Sequence, residues 1–179
     1  MAERTLGRIW LMRLVFLALC LMLIFLHLLP QDTSPRGWAG PDLILALSCA
    51  WVLRRPELVP APLIALVFVT TDLLYQMPPG LWAAFVVIGT ETLRSRAPGL
   101  RDLTFAVEWL TVAITLTAMT LGNQLALAIL LLDRPPLGLS LMQLVMTLIT
   151  YPLVAYGSQI IFGVRKQAPG DVDALVNRR

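Results

Sequence analysis

Residues 9–29 read IWLMRLVFLALCLMLIFLHLL, and this stretch decides the class of the protein. It contains one charge, Arg13, and a helix of this length covers about 30 Å, the thickness of the hydrocarbon core of a bilayer. The Arg13 side chain can extend along the helix to the cytoplasmic interface. The segment Leu28-Leu29-Pro30-Gln31-Asp32 that follows offers no small-residue cleavage site, so we predict an uncleaved membrane-spanning helix rather than a signal peptide.

The composition indicates that lipid is the solvent for most of the chain. Its 179 residues are 58% hydrophobic and 14% charged, and the mean hydropathy is +0.76. An average soluble domain is about 45–50% apolar and about 25% charged. These values argue against a soluble enzyme, a nucleic-acid-binding domain and a disordered tail, and the length predicts one domain, residues 1–179.

Five further apolar runs follow the first, and we predict an all-α membrane protein with six transmembrane helices. The long fifth run contains Gly122-Asn123-Gln124, which predicts a bend, a tilt or a projecting end, and Pro152 predicts a kink in the sixth. Residues 165–179 are expected to form a short cytoplasmic tail. The approximate helices are 9–29, 41–54, 58–75, 81–94, 103–132 and 137–164.

The basic residues predict the orientation. With six crossings, one side of the membrane receives 12 Arg and Lys residues, and the other receives 2, Arg36 and Arg134. The side richer in Arg and Lys is the cytoplasmic side of a membrane protein. Both termini are therefore expected in the cytoplasm, and the bias itself supports six crossings.

Ionisable residues inside the predicted helices need an explanation, because each costs about 2.5–3.5 kcal/mol at the bilayer centre. Arg13, Glu91 and Glu108 lie at similar depths near the cytoplasmic side and are able to form one cluster. Such a cluster is either a proton or ion site or a set of structural ion pairs, and we favour the structural interpretation.

Asp72 lies near the outer end of the third predicted helix, before the charge-free turn that leads into the fourth helix. A carboxylate at this place can cap the N-terminus of that helix, whose first N–H groups have no helical partner. We favour this structural role over a contact with a partner or a substrate.

The fifth and sixth predicted helices carry polar stripes at helical spacing. The small residues of the fifth helix also have the spacing that brings membrane helices close together. The stripes either seal the six helices against each other, line a ligand cavity or meet a helix of another protein. Their members are Thr104, Glu108, Thr111, Thr115, Ala118 and Gly122 on the fifth helix, and Ser140, Gln143, Thr147, Thr150, Val154 and Gly157 on the sixth.

Signatures of catalysis or cofactor binding do not occur in the sequence. It has no Gly-rich phosphate loop, no His-Glu-x-x-His and no Gly-x-Ser-x-Gly. Cys20 and Cys49 lie in apolar runs and are expected to be buried, and the single histidine, His27, is expected at an interface or packed. We therefore predict no catalytic residues, no metal and no cofactor.

Several short motifs lie within about residues 38–101. They are Gly40-Pro41-Asp42-Leu43-Ile44-Leu45-Ala46-Leu47, Arg54-Arg55, Ala65-Leu66-Val67 leading to Asp72-Leu73-Leu74, Pro79-Gly80-Leu81-Trp82, and the helix that ends at Arg94. The most specific is the acid at Asp72 followed by a short turn and Pro-Gly-Leu. Together these motifs resemble the rod shape-determining MreD family, most closely its alphaproteobacterial branch. Family members more commonly have Gly-Leu-Asn where this chain has Gly-Leu-Trp.

The resemblance implies a multi-pass protein of the bacterial inner membrane that belongs to the cell-elongation machinery. It implies an MreC-type single-span membrane protein as partner, together with MreB and the RodA–PBP2 peptidoglycan synthase. The MreD family is also similar in fold to the substrate-binding subunits of vitamin transporters. The expected function is non-enzymatic regulation of cell shape and lateral peptidoglycan synthesis, with a vitamin-like substrate-binding transporter subunit as the alternative.

We expect the candidate structural or partner-contact residues to have no catalytic role. They combine the charged residues discussed above with the turn before the fourth helix and the face of the fifth helix. They are Arg13, Asp72, Pro79, Gly80, Glu91, Glu108, Thr111, Thr115 and Gly122.

Overall fold

The computed structural model describes residues 2–29, 39–100, 103–162 and 164, with side chains from residue 7 onward. Within these residues the protein is all-α, as predicted, and contains no β-strand. The helices are α1 (Ala2–Leu28), α2 (Leu43–Arg54), α3 (Ala61–Leu74), α4 (Leu81–Arg96), α5 (Phe105–Ile129) and α6 (Leu137–Phe162), with a 3₁₀ turn at Ala97–Leu100.

Helix α2 is the centre of the bundle. Every residue from Ile44 to Arg54 is buried, and α1, α4 and α6 pack around the helix. The carboxylate of Asp42 accepts a hydrogen bond from the backbone N–H of Leu45 at 2.9 Å and so caps the N-terminus. A helix that is apolar on all faces has to be surrounded by other apolar groups, and this agrees with the almost unbroken run of apolar side chains in α2.

The helices fall into two length classes. Residues Gly7–Leu28 of α1, together with α5 and α6, form three segments of 22, 25 and 26 residues that are long and apolar enough to cross a membrane. Helices α2 and α3 have only 12 and 14 residues, or about 18 and 21 Å at 1.5 Å per residue. The protein is thus a helical membrane protein whose central helix is shorter than a hydrocarbon core of about 30 Å.

Hydrogen bonds show that helices consecutive in the chain run in opposite directions. Arg13, in the first half of α1, donates a hydrogen bond to the carbonyl of Glu57, beyond the end of α2, at 3.0 Å. Trp109, near the start of α5, donates to the carbonyl of Leu148 in α6 at 3.0 Å. We call the end that contains Arg13, the C-terminus of α2 and the C-terminus of α4 the arginine end, and the opposite end, which contains Asp42, the Asp42 end.

Asp72 joins α3 to α4, and its hydrogen bonds confirm the predicted helix cap. Its buried carboxylate accepts hydrogen bonds from the backbone N–H groups of Gly80 at 2.9 Å and Ala83 at 3.2 Å. Gly80 has a φ of 82°, a left-handed conformation that glycine adopts without steric cost. Asp72, Pro79 and Gly80 thus act together in the turn that sets α4 against α3.

Helix α5 is continuous through Gly122-Asn123-Gln124, where the sequence predicts a bend, a tilt or a projecting end. It continues through Gly122 and ends at Ile129, where Leu131 adopts a left-handed backbone with a φ of 55°. The N–H of Leu132 donates to the carbonyl of Leu127 at 3.0 Å, as in a Schellman motif. Gly122 serves close packing instead, because a Cβ at this position would lie 2.7 Å from Cε1 of Phe85 on α4.

Substitution of this glycine tests the α4–α5 packing. We expect Gly122→Leu to lower the free energy of unfolding by about 1–3 kcal/mol, since the new side chain collides with the ring of Phe85. The matched control is Gly157→Leu on α6, because a Cβ at Gly157 meets no atom within 4 Å. Denaturant unfolding in detergent measures both variants, and equal stability of the two would contradict the packing described here.

Candidate functional site

A buried ion pair ties three helices together at the arginine end. Nε of Arg54, the last residue of α2, lies 3.6 Å from Oε1 of Glu108 on α5. The hydroxyl of Tyr151 on α6 donates to the same oxygen at 3.0 Å, and Nη1 of Arg54 donates to the carbonyl of Ala155 at 2.7 Å. The Arg54 and Glu108 side chains are only 7% and 1% exposed, so each depends on the other for its charge to be tolerated.

The structure places Arg13, Glu91 and Glu108 in separate contacts rather than in one cluster. Arg13 bonds to a backbone carbonyl, as described above, and Glu91 accepts a hydrogen bond from Nε of Arg94 at 2.9 Å. Glu108 pairs instead with Arg54, the last residue of the predicted helix 41–54, which was not among the residues expected to form the cluster. The difference arises because Arg54 ends a buried helix and its side chain lies within the bundle.

The remaining candidates on α5 also have roles within the bundle. The hydroxyls of Thr111 and Thr115 donate to the carbonyls of Val107 and Thr111, respectively, one turn earlier in the same helix, at 2.8 and 2.9 Å. Such bonds satisfy the hydroxyls without a second helix. Gly122 packs on α4, and Glu108 and Thr115 are buried. Thr104 and Ala118 are exposed, so only part of the predicted stripe on α5 faces the bundle.

A partly open cavity of about 210 Å³ lies at the Asp42 end, around the N-terminus of α2. All six helices, or the residues next to their ends, contribute to its walls. Apolar parts of the wall include Leu23, Trp82 and Leu116. The polar lining includes His27, Asp42, Tyr75, Asn123, Gln124 and Gln143.

Asp42 is held at the cavity wall by contacts on both sides. Its backbone N–H donates to Oγ1 of Thr147 on α6 at 2.9 Å, while its carboxylate caps α2. His27 and Tyr75, which also line the cavity, stack with their ring centroids 4.7 Å apart. The carboxylate is therefore fixed in place by the same contacts that begin α2.

Gln124 presents an unused hydrogen-bond acceptor in the same wall. The side chain is 7% exposed, and its Nε2 donates to Oγ of Ser140 at 2.6 Å and to the carbonyl of Pro135 at 3.4 Å. A carbonyl only accepts hydrogen bonds, so the amide nitrogen has to face Pro135. The other amide atom, Oε1, is buried and has no hydrogen-bond partner among the described residues.

Sequence reasoning missed the part of α5 that lines the cavity. Thr120, Asn123 and Gln124 line it, and their spacing of three and four residues places them on one helix face. This spacing is a usable signal, although Gly122-Asn123-Gln124 was used only to predict a bend, a tilt or a projecting end of the helix. On α6 the predicted stripe does reach the cavity, through Ser140, Gln143 and Thr147, so the cavity-lining alternative holds for this part of the stripe.

Neither a metal-binding cluster nor an exposed thiol occurs among the described residues. Within residues 7–29, 39–100 and 103–162, no group of three His, Cys, Asp or Glu side chains is placed to hold a metal ion. Cys20 and Cys49 are buried free thiols, as expected. The polar groups around the cavity include a carboxylate, which only accepts hydrogen bonds, and amides, hydroxyls and an imidazole, which both donate and accept them.

The buried ion pair leads to a test of stability. We expect Glu108→Ala to lower the free energy of unfolding by about 3–5 kcal/mol, because the Arg54 guanidinium then stays buried without its counter-ion. The control is Glu91→Ala, whose carboxylate is 43% exposed and whose loss should cost at most about 1 kcal/mol. Unfolding in detergent, followed by circular dichroism, measures both, and a Glu108→Ala protein as stable as the wild type would refute the proposed importance of the pair.

No family model, no curated protein and no solved structure matches the chain. The geometry of the described residues and the resemblance carried by about residues 38–101 are therefore the basis of the functional proposal.

Proposed function

We propose that the protein is a non-enzymatic component of a bacterial cell-elongation complex of the MreD kind, located in the inner membrane. It regulates cell shape and lateral peptidoglycan synthesis by binding partner membrane proteins. The partners are an MreC-type single-span protein and, through the same complex, MreB and the RodA–PBP2 synthase.

One observation carries this proposal: the polar residues of the resembling segment are those that hold the bundle together. Asp42 caps α2, Asp72 caps α4, and Arg54 pairs with Glu108. Arg94 donates to two backbone carbonyls of the α2–α3 turn at 2.5 and 2.6 Å. Similarity among apolar residues is weak support, because every membrane helix is rich in them. Polar residues at these positions are not explained by a lipid solvent, and they strengthen the resemblance.

Helix α6 offers the best face for a partner helix. Leu153 and Ile161 are 73% and 72% exposed, and Ile160 lies on the same side at helical spacing. Gly157, between them, has open space where a Cβ would be. Small residues let the backbones of two membrane helices approach closely. This face, Leu153–Gly157–Ile160–Ile161, is the docking face for the single membrane helix of the partner.

The arginine end supplies a second contact in this proposal. Arg8 and Arg96 are exposed there, and basic residues next to membrane helices attract anionic lipid headgroups by about 1 kcal/mol each. With this end in the cytoplasm, the same side chains face the cytoskeletal filament. The bilayer and the filament are thus contacted from one basic surface.

Gly157→Leu tests the docking face. We expect recovery of the single-span partner in co-purification under mild detergent to fall at least about fivefold, because the new side chain fills the space needed for close approach. The stability of the protein alone should be unchanged, and Gly138→Leu, another glycine with open space around it, should leave recovery unchanged.

A photo-cross-linking residue at Leu153 tests the same face in cells. Irradiation should produce a cross-link to one single-span membrane protein, and samples without irradiation are the control. Isolation of the wild-type protein only as a lone monomer, with no cross-linked partner in cells, would rule out the proposal.

The cavity favours the alternative of a small-molecule-binding transporter subunit. It opens at the end opposite to most of the arginines, which is the outer side in the predicted orientation. Cells that lack the protein distinguish the two functions. Rounded cells in rich medium support the elongation complex, whereas normal rods that depend on an added nutrient support the transporter subunit.

A further inference from the structure

We propose that the cavity at the Asp42 end is a binding site for a small molecule with a protonated amine on an apolar body about as large as an aromatic ring. The site is separate from the docking face on α6 and does not depend on the proposed role in cell elongation.

The charge of the lining selects a cation. Asp42 is the only Asp or Glu among the described lining residues, and no Arg or Lys is among them. The other titratable side chains of the lining are those of His27 and Tyr75. The remaining polar side chains there are amides and hydroxyls, which carry no charge. A protonated amine therefore finds a carboxylate and no competing cationic side chain of the Arg or Lys type.

Gln124, which also lines the cavity, carries a second hydrogen-bond acceptor. Buried polar atoms in native proteins nearly always have a partner, yet Oε1 of Gln124 has none among the described residues. Asp42 and Gln124 both line the cavity and both carry hydrogen-bond acceptors. A group with several N–H donors therefore satisfies more of these acceptors than an anion or a lone hydroxyl does.

The volume and the apolar walls set the size of the ligand. An apolar cavity of about 150 Å³ holds benzene, and one water has a share of about 30 Å³ in the liquid. The cavity of about 210 Å³ is therefore large enough for a single ring with a short amine side chain. Leu23 and Leu116 provide apolar contacts for such a ring, and the aromatic side chains of Trp82 and Tyr75 also line the cavity.

A charge series of simple ligands tests the proposal on the wild-type protein. Benzylamine, which is protonated at neutral pH, benzyl alcohol and benzoate share one ring and differ in charge. Titrations by saturation-transfer NMR in detergent should give a millimolar or tighter dissociation constant for benzylamine. We expect benzyl alcohol to bind at least about tenfold more weakly, because hydrogen bonds to a charged group are the stronger ones, and benzoate not to bind.

Asp42→Asn tests the carboxylate without removing the helix cap, because Asn caps helices as well as Asp does. It should weaken benzylamine at least about tenfold and leave benzyl alcohol unchanged, while Glu91→Gln at the arginine end should change neither. Benzylamine that fails to bind, benzoate that binds as well, or an Asp42→Asn protein that is folded and binds benzylamine normally would overturn the site. If Asp42→Asn fails to fold, the wild-type charge series decides alone.

The amine has two possible sources, a free metabolite or the ethanolamine headgroup of a lipid. Benzylamine binding in nanodiscs of phosphatidylglycerol alone and of phosphatidylglycerol with phosphatidylethanolamine separates them. Competition by phosphatidylethanolamine supports the lipid headgroup, and equal binding in both supports a free amine. Partner co-purification is a separate measurement, so failure of the amine site and failure of the proposed function are distinguishable.

Discussion

Helix α2 is buried along its whole length after Leu43, so both of its ends have to be satisfied by protein rather than by water or headgroups. At one end the backbone N–H of Asp42 donates to Thr147 of α6. At the other end Arg54 donates to the carbonyl of Ala155, also in α6, and pairs with Glu108 of α5. These contacts fix α2 along α6 at two points, and the remaining helices pack around this pair. An unsatisfied polar group at either end would cost several kcal/mol in hydrocarbon, which explains the polar residues at these places.

The cavity follows from the same constraint. Helix α2 has 12 residues and is fixed at the arginine end by Arg54, whereas α5 and α6 have 25 and 26 residues. At 1.5 Å per residue the difference in length is about 20 Å. Helices α5 and α6 therefore continue beyond the N-terminus of α2 and form walls around it, and the polar residues of their inner faces line the space that remains. A short central helix thus produces both a tightly packed arginine end and an open Asp42 end.

Much of the fold is readable from the sequence because its signals are local. Apolar runs and turn residues define the six helices, and the acid before Pro79-Gly80 identifies the α3–α4 turn. The residues of the site are harder to predict, since periodicity tells which residues share a face but not which helix that face meets. Arg54 follows an apolar run and resembles a loop arginine, yet it pairs with Glu108 inside the bundle. Gly122 and Gly157 both have the appearance of docking glycines, and only the structure shows that Gly122 already contacts Phe85.

The central claim is that the arginine end lies in the cytoplasm and the Asp42 end faces outward. Single cysteines at positions 96 and 134, at opposite ends of the bundle, test it directly in a Cys20→Ala, Cys49→Ala background with a maleimide that does not cross membranes. The account predicts that the cysteine at position 134 is labelled in intact cells whose outer layers admit the reagent. The cysteine at position 96 should be labelled only after the inner membrane is opened. Labelling of position 96 in intact cells, with position 134 protected, would contradict the account.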